Sequence, residues 1–79
     1  MADTIAVDRT LDCKGLLCPM PIVKLSRAVK EMTAAQVILM EATDPGSVPD
    51  VAAWSKQTGH PIVAQEQVGD VMRFWIRKA

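Results

Sequence analysis

Val37-Ile38-Leu39-Met40, inside the segment Gln36–Ala42, is a short continuous apolar run. Such a run suits a central β-strand covered on both faces. Asp44-Pro45-Gly46 follows it as a turn. Ser47 to Thr58 then reads as a helix. Ser47 is its expected cap, Pro49 lies in the first turn, Asp50 sits three residues after the cap, and Gly59 ends it. Val48, Val51 and Trp54 form its apolar stripe. Further on, Pro61–Val68 and Val71–Lys78 are two strands joined by Gly69-Asp70, a good two-residue hairpin turn. Upstream, Pro19 opens a second helical pattern, with Pro21 still in its first turn. Ile22, Leu25, Val29 and Met32 fall on one stripe, and Lys24, Arg27, Lys30 and Glu31 lie mostly elsewhere. Ile5–Asp12, with Ile5, Val7 and Leu11 among polar residues, reads as the first strand. The order is β-α-β-α-β-β, and right-handed crossovers put both helices on one side. The expected fold is α/β: a two-layer sandwich of a mixed four-stranded sheet with two helices on one face and the other face open.

With 79 residues, positions 1–79 read as one domain. Nine basic residues offset nine acidic ones, which argues against nucleic acid as a direct ligand. No run of about 18 apolar residues exists to span a membrane. Met1-Ala2-Asp3-Thr4 lacks the basic and apolar start of a secretory signal, so the expected location is cytoplasmic. Two cysteines are too few to staple a small scaffold, and a reducing compartment makes them candidates for reactivity. The chain has one His, no Tyr and no glycine-rich phosphate loop. No cofactor is implied. Cys-x4-Cys plus His60 is a poor zinc set, so no metal is expected either, and His60 reads as a loop residue. Asp44 and Asp50 read as turn and cap residues. A carrier, an adaptor or one half of a two-protein reaction fits this chain better than a self-contained enzyme.

The stretch Asp12-Cys13-Lys14-Gly15-Leu16-Leu17-Cys18-Pro19-Met20-Pro21 holds the chemistry. Cys18 is expected at the N-cap of the first helix, where free N–H groups favour negative charge and should lower a thiol pKa. Pro19 and Pro21 remove two donors, leaving the amides of Met20 and Ile22, and fix the direction of the backbone. Lys14 and Lys24 are the candidate sources of added positive potential. No His stands nearby, which disfavours a Cys–His hydrolase. A sulfur carrier needs no general base, only an accessible nucleophilic sulfur.

Asp12-x-x-Gly15-Leu16-x-Cys18-Pro19-x-Pro21 resembles the signature of the TusA/SirA family of small sulfur-carrier proteins. The resemblance extends to the Asp44-Pro45 turn and the closing Ile76-Arg77-Lys78 strand. It implies a β-α-β-α-β-β sandwich in which Cys18 accepts sulfur as a persulfide. The donor would be a cysteine desulfurase or a rhodanese, and the acceptor a DsrE-like protein or similar. Thiolation of tRNA, sulfur oxidation, molybdenum-cofactor supply and selenium metabolism are all open to such a carrier. Gly15, Pro19 and Pro21 would position the sulfur. Cys13 stands where a small non-thiol residue is usual. It is either an accessory thiol that closes a disulfide with Cys18 or an inert inward-facing residue. Two further functions compete: a dithiol redox protein using Cys13 and Cys18, and a non-catalytic regulatory or interaction module.

Two surfaces are candidates for partner docking. Lys24, Arg27 and Lys30 on the first helix offer cations for an acidic partner beside Cys18. In the last strand Met72, Phe74 and Ile76 should face the helices, which places Trp75 on the open face. With one apolar pair of the second strand and the flanking Arg73 and Arg77, Trp75 is expected to form a small exposed patch.

Overall fold

The computed structural model describes residues 5–79. The apolar run becomes β2, Val37–Ala42, flanked by β1 (Arg9–Cys13) and β4 (Val71–Arg77), with β3 (Ile62–Val68) beyond β4. The sheet order is β1-β2-β4-β3. β1 runs parallel to β2, and β4 is antiparallel to both of its neighbours. The helices are α1 (Met20–Lys30) and α2 (Ser47–Thr58). Gly69, at φ +61°, closes the β3–β4 hairpin.

Alternation sorts the sheet residues between its faces. Cys13, Ile38, Met40, Ala42, Met72, Phe74 and Ile76 form one buried cluster with Leu25, Ala28 and Val29 of α1 and Val51 and Trp54 of α2. Both helices therefore cover the same face, as the crossover argument requires. The Trp54 indole N–H donates to Ser26 Oγ at 2.9 Å and ties α2 to α1.

Four local expectations are corrected. The first strand begins at Arg9 rather than Ile5. Asp8 N–H donates to Val37 O, and the Asp8 carboxylate accepts from Val37 N–H at 2.8 Å, so a side chain replaces the next ladder acceptor. Ser47 is the first helical residue of α2, after an N-cap at Gly46, and its buried side chain caps nothing. Pro19 is the N-cap of α1, which moves Cys18 out of that position. Finally, Trp75 does lie on the face away from the helices, beside Leu39 and Ala64 in register, but it is only 3% exposed. The Arg73 guanidinium sits 5.0 Å from the ring centroid and covers it. Glu41 and Glu66 hold that guanidinium in place at 3.2 and 3.0 Å. The open face is thus closed by a charged layer, and the expected Trp75 docking patch is absent.

Candidate functional site

Parallel β1 and β2 end at the same edge of the sheet, and each is followed by a helix. The N-termini of α1 and α2 therefore converge beyond the C-terminal ends of these strands, the usual place for a site in such sheets. The chain leaves β1 at Cys13 and turns at Gly15, which adopts φ +81°, a conformation open to glycine at little cost. Gly15 N–H donates to Thr43 Oγ1 at 2.9 Å, which pins this loop to the end of β2. Cys18 follows, exposed. Its N–H donates to Asp44 Oδ2 at 2.9 Å, and the other Asp44 oxygen accepts from Gly46 N–H at 3.2 Å. Asp44 is therefore both the turn residue of the α2 entry and the anchor of Cys18.

The sulfur itself meets α2. Cys18 Sγ donates to Asp50 Oδ2 at 2.7 Å. Both border a surface cleft of about 250 Å³ between the helices, floored by Pro19, Ile22, Ala53 and Trp54. The residues that flank Cys18-Pro19 in the chain are exposed too, Leu17 at 74% and Met20 at 45%.

These contacts reverse the electrostatic expectation for Cys18. Its pKa is raised, first by the hydrogen bond to Asp50, then by desolvation and by the charges of Asp50 and Asp44. The two amides expected to be free at the helix terminus are engaged elsewhere. Met20 N–H donates to Leu17 O, and Ile22 N–H donates to Pro19 O. Lys14 does not reach the sulfur, being drawn to Glu41 at 3.6 Å and Asp12 at 3.9 Å. Lys24 and Arg27 line a different groove, over β1, with Arg9 and Glu31, so they do not flank the Cys18 cleft.

Cys13 is fully buried in the core cluster, and burial pushes its thiol pKa up. Both cysteines are free thiols. As an accessory thiol, Cys13 would have to leave its apolar packing to meet the exposed Cys18. Pro21 is fully buried too, so it packs in the core as well as shaping the start of α1. His60 stacks near Trp54, with ring centroids 5.4 Å apart, and its Nδ1 accepts from Ala79 N–H. Among the described residues no cluster of His, Cys, Asp or Glu is arranged to hold a metal ion, and no helix is long and apolar enough to cross a membrane.

Asp50 is the site residue that sequence reasoning missed. As a first-turn acid three residues after Ser47 it has an ordinary capping explanation. The available signal lay in the topology: two β-α units with parallel strands bring both helix starts to one edge.

The family model for sulfurtransferase TusA matches residues 9–78. Bacillus subtilis YrkI is 46% identical over 71 residues, spanning 90% of this chain and 95% of its own length. The sulfur carrier protein TusA of Allochromatium vinosum is 40% identical over 72 residues, spanning 91% of this chain and 95% of its own length. The crystal structure of a SirA-like protein from Desulfitobacterium hafniense superposes with a TM-score of 0.77 at 21% identity, covering 87% of this chain and 95% of that one. At that identity the likeness is one of fold.

Proposed function

The chain belongs to the sulfurtransferase TusA family, and from that premise we propose that it relays sulfane sulfur as a persulfide on Cys18. The donor is a persulfide-bearing protein of the cysteine desulfurase or rhodanese kind, and the acceptor is DsrE-like or similar. The observation that carries this reading is the contrast between the two thiols. Cys18 is exposed at the mouth of a cleft, and Cys13 has no exposed surface. In loading, the Cys18 thiolate attacks the outer sulfur of the donor persulfide. A new S–S bond forms at Cys18 as the donor S–S bond breaks, and the donor cysteine leaves as a thiolate. No external oxidant or reductant is required, and no cofactor enters the step. The whole of 1–79 acts as one carrier domain. Its zero net charge favours protein partners over nucleic acid or membrane surfaces, and its free thiols suit a reducing compartment such as the cytoplasm.

Mass spectrometry after incubation with inorganic polysulfide tests the reading. The protein should gain one sulfur atom on the peptide containing Cys18. Cys18→Ser should abolish the gain, and Cys13→Ser should retain it. A loss of two hydrogens would instead favour the dithiol redox protein, and no specific change would favour a non-catalytic interaction module.

A further inference from the structure

The surroundings of Cys18 are acidic and apolar. Asp50 and Asp44 are the charged groups that face the sulfur, from the first turn of α2 and the loop before it. The flanking chain is apolar, with Leu17 and Met20 exposed on either side of Cys18-Pro19 in the sequence. The nearby cation Lys14 is already paired with Glu41 and Asp12. A thiol in such a place is a poor nucleophile, because the thiolate is the reactive form and two carboxylates oppose it. A sulfur carrier nonetheless has to attack its donor. No unpaired cation faces the sulfur among the described residues, and a docking partner is the source of positive charge that remains.

We propose that Asp50 is a positioning residue that holds Cys18 as a hydrogen-bonding thiol in the free protein, and that the face around it takes a partner presenting a lysine or arginine within an apolar surface. This rests on the proposed role of Cys18 in sulfur transfer. The partner's cation pairs with Asp50 and takes the carboxylate away from the sulfur. The S–H proton passes to solvent, and the thiolate left behind attacks the donor's outer sulfur as described above. Charge complementarity selects the occupant: two carboxylates beside the sulfur suit a basic surface, and an acidic one would deepen the suppression. The carrier thus stays quiet toward stray electrophiles and becomes reactive where a matching partner docks.

Small reagents test both halves without any persulfide. Cys18 alkylation by neutral iodoacetamide, followed by peptide mapping across a pH series, should run several-fold faster at pH 7 in Asp50→Asn than in the wild type. The midpoint of its rate profile should move to lower pH. Thiol–disulfide exchange at Cys18 should prefer cationic cystamine over anionic dithiodiglycolate about tenfold more strongly than neutral 2-mercaptoethanol does at low salt, the reference thiol correcting for the different leaving groups. That preference should shrink several-fold in Asp50→Asn and at high ionic strength, where exposed charges are screened. Asp50→Glu, which keeps a carboxylate, should retain much of it and guards against a folding defect in the amide variant. An alkylation rate in Asp50→Asn equal to or below the wild type overturns the suppression by Asp50. A preference at Cys18 no greater than that of 2-mercaptoethanol overturns the cationic partner. Failure of polysulfide loading, with these rates as expected, would sink the carrier reading alone.

Discussion

Cys18 Sγ lies 2.7 Å from Asp50 Oδ2, and this contact links the residue before the α1 cap to the first turn of α2, 32 positions along the chain. Together with the Cys18 N–H bond to Asp44, it fixes the sulfur at both its backbone and its side chain against the start of one helix. The loop carrying Cys18 is therefore held by the β2–α2 segment rather than by its own helix.

The two thiols should respond differently to alkylation. Both have raised pKa values, Cys18 through Asp50 and Cys13 through burial. The fraction of Cys18 present as thiolate at neutral pH is then smaller than for an unperturbed thiol, and its reaction rate should climb at a higher pH than that of free cysteine. Cys13, with no exposed surface, should react only when the protein unfolds. Peptide mapping of the native protein should show one modified cysteine, and of the protein in denaturant, two. Native modification of Cys13 at a rate near that of Cys18 would contradict its placement in the core.

Trp75→Ala should destabilise the protein by about 3 kcal/mol or more, the cost typical of a buried aromatic truncated in place. Its ring is 3% exposed and its cover, Arg73, loses a cation–π partner. Urea unfolding reads the loss. Acrylamide quenching of the wild type should also be weak, since Trp54 is only 7% exposed. A variant that is fully stable would restore Trp75 as a surface residue.

Gly15→Ala should cost roughly 1–2 kcal/mol, the penalty for a side chain in the left-handed region. The space is open, since nothing lies within 4 Å of a Cβ placed there, so backbone strain alone sets the cost. Relaxing that strain pulls the loop from Thr43 Oγ1 and should slow polysulfide loading of Cys18 as well. Unfolding in urea together with loading kinetics separates the two effects. Unchanged values for both would show that the loop does not depend on this conformation.

The strands and helices were legible because their signals are local. The apolar run at 37–40, the Gly69-Asp70 turn and the spacing of Val51 and Trp54 each carry their own explanation. The family signature in 12–21 was local too. What escaped reading depends on atoms brought together from a distance. The start of β1 is set by the Asp8 carboxylate reaching Val37, 29 residues on. Alternation gave the face of Trp75 but not its cover, because the Glu41–Arg73–Glu66 layer draws on three strands. The sign of the Cys18 shift was misread for the same reason. A helix terminus is visible in sequence, but the engagement of its amides and the approach of Asp50 are not.

β4 lies inside the sheet, between β2 and β3, yet follows every other strand in the chain. Val37 pairs with Arg77 across 40 positions, and no ladder joins the β1–β2 pair to β3 until β4 arrives. Without β4 the first three strands form two pieces that share no ladder, with Ile38 and Met40 lacking their neighbours on one side. Assembly of the sheet must await β4, so folding is governed by a pairing distant in sequence. A chain cut short before Val71 would carry the Cys18 loop on an unfinished sheet.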